Sequence, residues 1–224
     1  MKENKGLIIF LTLWAAFVVA LLVAIVSTDQ AALHQHLTLD YLSHCSDASI
    51  AFQDQFFRYI TYLGASVPFI VGALLLFYKV GDGLFVIVAQ LVTTLFVFPV
   101  KKIVAAPRPS LYFSENFPDI TLHQVDGVHL HHMNSFPSGH TAAVFSLMLC
   151  LTFICRKKTW TAPLFFVLAA ATAYSRIYLS QHFAEDVCCG AIFGVLATLL
   201  TAYFYYRYPK KWEQKPIYKL KSSK

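Results

Sequence analysis

Six apolar stretches, separated by short polar segments, leave this chain few ways to fold. They run roughly from Gly6 to Val26, Tyr59 to Tyr78, Leu84 to Val100, Pro137 to Cys155, Thr161 to Ser180 and Ala184 to Tyr206. A bilayer core about 30 Å thick is crossed by about 20 apolar residues in a helix, so each stretch qualifies as a span or comes close. The third has 17 residues before Lys101. At about 1.5 Å per residue it covers about 26 Å, which places its terminal lysines near the water interface. Only 13 % of the 224 residues are charged and 57 % are hydrophobic, whereas about a quarter of a soluble domain is charged. Disordered, collagen-like and ordinary soluble-enzyme chains are excluded. The expected fold is all-α: a polytopic membrane protein with six transmembrane helices in one bundle, residues 1–224 forming a single membrane-embedded domain.

Lys2 and Lys5 precede the first stretch, as in a secretory signal. Its apolar run exceeds the ~7–15 residues of a signal core, and no convincing small-x-small cleavage site follows. An uncleaved anchor is the preferred reading. Six spans put both termini on one side. With a cytoplasmic N-terminus, 13 of the 18 Lys and Arg residues fall inside, as the positive-inside bias requires. The same bias accounts for the net charge of +6 and argues against a nucleic-acid partner. Outside lie only Arg58, Lys101, Lys102, Arg108 and Arg176, together with all nine histidines. Those five cations oppose the bias and need another reason to be there. The tail, residues 207–224, carries seven cations and one acid. It reads as a basic cytoplasmic anchor on anionic lipid, with a partner-binding tail as the alternative.

The first outer segment, from Ser27 to Arg58, repeats Leu33, Leu37, Tyr41 and Leu42, then Phe52, Phe56 and Tyr59, at helical spacing. It reads as an interfacial amphipathic segment between spans one and two, either a cap over the bundle or a lateral gate for lipid. The second, from Lys101 to Phe136, holds Pro107, Pro109 and Pro118, which exclude one continuous helix. It also holds His123, His129, His131 and His132, whose spacing is not that of a metal site; solvated loop histidines are the preferred reading of residues 123–132. The five cysteines show no CxxC pair. Cys150, Cys155, Cys188 and Cys189 read as core residues and Cys45 as a free thiol.

Charged groups at the ends of spans are functional candidates. Lys101, Arg108 and Arg176 bring three cations to one level, which together read as an anion pocket. Ser138 can cap the fourth span, and Gly139 lets a ligand approach the free N–H groups of its first turn. His182 and Asp186 lie four apart on one helix face. The carboxylate can fix one ring nitrogen and leave the other free to attack. Glu185 is the rival carboxylate. Each residue also has a plainer reading: a snorkelling cation, an ordinary cap, a structural His–Asp pair.

Taken together, Lys101-x6-Arg108-Pro109, Pro137-Ser138-Gly139-His140 and Ser175-Arg176-x5-His182-x3-Asp186 resemble the three signature motifs of the type 2 phosphatidic acid phosphatase (PAP2) family, with no departure at a signature position. The resemblance implies a metal-independent lipid phosphate phosphatase that needs no cofactor and forms a phosphohistidine intermediate. It implies that His182 is the nucleophile, Asp186 its orienting partner and His140 the general acid and then base. It implies phosphate binding by Lys101, Arg108, Ser138, Gly139 and Arg176. The allowed substrates are undecaprenyl diphosphate, phosphatidylglycerol phosphate, phosphatidic acid and a lipid A phosphate. The small size, the short inner loops and the absence of a signal peptide suggest a bacterial cytoplasmic (inner) membrane protein with its site facing the periplasm. The partners are the bilayer and a phosphorylated lipid. The competing reading is a non-catalytic lipid-phosphate binding or transport protein that uses the same pocket. An inactive scaffold is disfavoured by the intact histidines, and a haloperoxidase by the membrane-embedded chain.

Overall fold

The computed structural model describes residues 4–208 and 215–217, so most of the basic tail of residues 207–224 lies outside the described residues. Its helices are α1 (Lys5–Ser27), α2 (Gln30–Gln35), α3 (Tyr41–Ser43), α4 (Asp47–Ile60), α5 (Val67–Tyr78), α6 (Val80–Val104), α7 (Pro109–Asn116), α8 (Gly139–Ile154), α9 (Thr161–Tyr178) and α10 (Ala184–Arg207). A π-helical turn, His36–Asp40, joins α2 to α3, and a 3₁₀ turn, Thr61–Gly64, joins α4 towards α5. Among the described residues the only β pairing is an isolated bridge between Pro107 and Met133. The protein is all-helical.

Each of the six apolar stretches is largely helix. Three helices, α1, α6 and α10, are long and apolar enough to cross a bilayer. The second stretch is broken: α4 with its 3₁₀ turn and α5 form a pair bent by 54°, which passes the same test only if taken as one span. α8 is apolar but has 16 residues, about 24 Å at 1.5 Å per residue. α9 carries Arg176 in its last turn. The third stretch is longer than its apolar run. α6 continues through Pro99, Lys101 and Lys102 to Val104, and ends on Ala105 in a left-handed conformation (φ 45°). Hydropathy marked where the apolar face stops, which is not where the backbone hydrogen bonding stops.

α10 packs on α8 and α6, α8 on α9, and α1 lies against α9 and α10. Phe145, Leu149, Val187, Ala191 and Val195 are fully buried between them. Small residues set the closest contact, as in membrane bundles where lipid supplies little drive for association. A Cβ on Gly190 would come within 2.5 Å of the Ser138 carbonyl oxygen, and one on Gly194 would collide with the Ala142 carbonyl. Polar ties cross the same interfaces. Thr198 and Gln90 both donate to Ser146 Oγ (2.9 and 3.2 Å), joining α10 and α6 to α8. Such bonds each contribute roughly 0.6–2 kcal/mol. Outward, apolar side chains stay bare: Val26 is 87 % exposed and Ile103 83 %. Apolar surface on this scale marks a lipid or partner contact, and with the three long helices it makes this an integral membrane protein.

The break before α5 positions the site. Gly64 lies so close to the backbone of His140 that a Cβ there would overlap its carbonyl oxygen. The 3₁₀ turn is thereby pressed onto the first turn of α8, and Arg58 and Thr61 come to the same end of the bundle. On α4, Phe57 is buried while Phe52, Phe56 and Tyr59 are exposed. That apolar stripe faces away from the protein.

Candidate active site

Every motif residue is placed at one end of the bundle. The starts of α8 and α10 are tied directly: Ser138 N–H donates to the Asp186 carbonyl at 3.0 Å. Asp186 is 1 % exposed. Its Oδ2 accepts hydrogen bonds from Ser135 Oγ (2.5 Å) and from the Phe183 N–H (2.9 Å), and lies 3.2 Å from His182 Nδ1. His182 is also 1 % exposed. With Nδ1 held by the carboxylate, Nε2 is the ring nitrogen without a partner among the described residues. Burial, then the charges of Arg176, Arg108 and Lys101, push the His182 imidazole well below its ordinary 6.5. The ring is therefore neutral at pH 7, with a lone pair available. The rival Glu185 does not reach it; Glu185 lines a separate cavity with Thr28, Asp29 and Gln30.

Arg176, from the last turn of α9, is 6 % exposed. Its Nη1 donates to Thr61 Oγ1 at 2.6 Å, and its Nε is buried without a hydrogen-bond partner among the described residues. Arg108 precedes α7. Its Nη1 donates to both the backbone carbonyl and the side-chain Oε1 of Gln181 (3.0 and 2.8 Å). Both guanidinium groups line a cavity of about 320 Å³, with His140, Thr61 and Gln181 also in its wall. The His140 imidazole makes no hydrogen bond among the described residues. His182 is not in that wall, though its chain neighbour Gln181 is.

Lys101 departs from the expected arrangement. Its ammonium donates to the carbonyls of Asn134 (2.8 Å) and Ser135 (3.3 Å), and it does not line the cavity. The same loop is pinned throughout by its carbonyls. Gln181 Nε2 bonds His129 O (3.0 Å), Ser110 Oγ bonds His131 O (2.8 Å), the Arg108 N–H bonds His132 O (2.7 Å) and Arg108 Nε bonds Met133 O (3.0 Å). Lys101 and Arg108 thus hold the segment that delivers Ser135 to Asp186. Ser138 acts as the cap of α8: its Oγ accepts from the Thr141 N–H (3.4 Å) and hydroxyl (2.9 Å). At Gly139 a Cβ would meet nothing nearer than Val97 at 3.9 Å. Open space, not packing, surrounds this glycine.

The loop histidines divide. His129, His131 and His132 are exposed, but His129 and His131 line the cavity. His123 is half-buried and lies 2.8 Å from Asp54, which also accepts from Tyr178. The expectation of solvated histidines is wrong for His123. Among the described residues, no group of three or more His, Cys, Asp or Glu side chains is arranged to hold a metal ion. Ser135, Gln181 and Thr61 escaped the sequence reading. So did His34, 1 % exposed between the rings of Phe113 and Phe183 and held neutral by burial, its pKa lowered to about 4.

An all-helical bundle whose one end carries both a buried His–Asp pair and a cavity lined by arginines defines a class of helical membrane proteins. The chain belongs to the PAP2 superfamily, whose profile matches residues 82–210. It is 38 % identical over 72 residues to a putative undecaprenyl-diphosphatase, YbjG, of Escherichia coli, covering 31 % of this chain and 35 % of that one. It is 41 % identical over 104 residues to the bacitracin transport permease protein BcrC of Bacillus licheniformis, covering 46 % and 49 %. The alignments thus span a third to a half of those relatives. Among solved structures, LpxE of Aquifex aeolicus superposes with a TM-score of 0.61 at 26 % identity, over 76 % of this chain and 93 % of that one.

Proposed function

We propose that this protein is a lipid phosphate phosphatase, acting without a metal through a phosphohistidine on His182. The observation that carries the reading is the buried Asp186 carboxylate. It engages His182 Nδ1 at 3.2 Å and leaves Nε2 free at the end of the bundle where His140, Arg108 and Arg176 meet. Nε2 attacks phosphorus, and the bond from phosphorus to the lipid oxygen breaks. The electron pair goes to that oxygen, which takes a proton from His140, an imidazole that carries this proton when the anionic substrate is bound beside it. His140 then accepts a proton from water as the resulting hydroxide attacks phosphorus. The P–N bond breaks and inorganic phosphate leaves. Phosphoryl transfer needs mainly alignment and positive charge around the equatorial oxygens. Arg108 and Arg176 supply that charge directly, Lys101 from one layer behind, and Gly139 gives the phosphate access to backbone N–H groups.

The topology proposed with it has six spans, α8 and α9 serving as short ones and α4–α5 as a bent one. Residues 1–224 form one domain, with both termini in the cytoplasm and the site facing the periplasm of a bacterial inner membrane. The exposed stripe of Phe52, Phe56 and Tyr59 supports an interfacial α4. The names of the relatives point to cell-envelope lipids. They also keep one alternative in view, because BcrC is named as a transport permease: the pocket could bind lipid phosphate without cleaving it. Release of inorganic phosphate by the purified protein in detergent separates the two. Turnover is expected to persist in excess EDTA. No release from any lipid phosphate, or reversible loss on chelation, overturns the proposed mechanism.

A further inference from the structure

One outer cation belongs to none of the three motifs and still enters the site. Arg58, on α4, lines the same cavity as Arg108, Arg176 and His140. Its Nη1 donates to the Asp126 carbonyl at 2.9 Å, 68 residues along the chain. The next residue, Gly127, has φ +74° and lies so near that a Cβ there would stand 2.6 Å from Arg58 Nη2. The loop therefore leaves a seat for this guanidinium that no L side chain at position 127 would allow. His129 and His131 complete the wall. Both line the cavity, and their rings lie 5.1 Å apart. Lys102, the remaining outer cation, is accounted for otherwise, with its ammonium 5.6 Å from the Phe98 ring.

The cavity thus holds more positive and proton-bearing groups than one phosphate monoester uses. Arg108, Arg176 and the nearby Lys101 already match a phosphate dianion. We infer that Arg58, His129 and His131 form a second anion subsite, and that the preferred substrate is a lipid diphosphate, with its terminal phosphate at Arg108 and Arg176 and its lipid-linked phosphate at Arg58. The inference rests on the phosphatase reading above. His131 fits such a role: burial, then Arg108 and its histidine and arginine neighbours, hold its pKa below the ordinary value, so an entering anion would stabilise its charged form. In the reaction, His182 Nε2 bonds to the terminal phosphorus and the P–O bond to the bridging oxygen breaks. That oxygen receives the electron pair and the His140 proton and leaves as part of the lipid monophosphate. Water then releases the terminal phosphate from His182.

The test compares phosphate release from farnesyl diphosphate and farnesyl monophosphate in detergent. The wild type is expected to show at least a tenfold higher kcat/KM for the diphosphate. Methylenediphosphonate should inhibit at least tenfold more tightly than orthophosphate. Arg58→Ala should lower kcat/KM for the diphosphate at least tenfold more than for the monophosphate, with Arg58→Lys intermediate. Gly127→Ala, which displaces the guanidinium, should shift the ratio the same way. Equal inhibition by the two anions, a wild-type preference for the monophosphate, or equal losses on both substrates in the variants would overturn the second subsite while leaving the phosphatase reading intact. No phosphate release from either ester would overturn that reading and the subsite with it. If Arg58→Ala does not fold, the wild-type inhibition comparison and Gly127→Ala decide the matter.

Discussion

Opposite ends of α6 and α8 both carry cationic cavities, and the two differ in how their polar groups are held. The cavity bounded by Lys79, Asp82, Arg156, Lys157, Lys158 and Tyr206 is the larger, about 570 Å³ against 320 Å³. Two of its four cations rest on aromatic rings: Arg156 lies 5.7 Å from the Tyr206 centroid and Lys79 5.8 Å from that of Tyr78. No imidazole lines it. At the other end the arginines donate to named oxygens, a carboxylate is buried against a histidine, and a second histidine has no hydrogen-bond partner among the described residues. Volume and charge can attract an anion. On the reading proposed above, reaction needs in addition a nucleophile held by a carboxylate, as His182 is by Asp186, and an unbonded imidazole, His140, on the same cavity.

Three experiments would break or sharpen that contrast. The largest effect is expected from the histidines. His182→Ala should lose more than about 10⁴-fold in kcat, since a missing nucleophile removes the whole covalent route, and His140→Ala about 10²–10⁴-fold as a lost general acid. Retained turnover in either, measured by phosphate release on folded protein, would remove its assigned role. An intermediate effect is expected from Ser135→Ala. A hydrogen bond to a buried charged group contributes about 1.5–3 kcal/mol, so kcat should fall roughly 10- to 100-fold. KM should move little, because Ser135 acts through Asp186 and His182. A rise in KM at constant kcat would place Ser135 in binding instead. The smallest effect belongs to the opposite end. Arg156→Gln with Lys157→Gln should change kcat/KM less than about twofold, in line with ordinary surface substitutions. A tenfold loss would mean that the two ends are coupled.

Hydropathy is a local property, and the six helical stretches were legible from it. The break at Thr61–Gly64 was not, because it answers to the backbone of His140 across the bundle rather than to its own neighbours. The same division runs through the site. His182 and Asp186 are four residues apart, and their pairing could be read from helix geometry alone. Ser135 reaches Asp186 across 51 residues, Gln181 meets Arg108 across 73 and Thr61 meets Arg176 across 115. Serine, glutamine and threonine are common, and nothing at that sequence distance marks which ones will meet a charge. Lys101 shows the converse. Its motif position was plain, but the carbonyls it holds belong to a loop whose path only the folded chain reveals.

That loop is gripped by its main chain. Five successive carbonyls, from His131 to Ser135, accept hydrogen bonds from Ser110, Arg108 and Lys101, and none of these bonds depends on the side chain of the loop residue whose carbonyl accepts it. Positions 131 to 133 can therefore change identity while Ser135 keeps its address; Asn134, at φ 59°, is held to the few residues that adopt a left-handed backbone. If the proposed phosphatase reading holds, exchanging a few outward side chains along this loop changes the headgroup this chain accepts and leaves the His182–Asp186 pair beneath undisturbed.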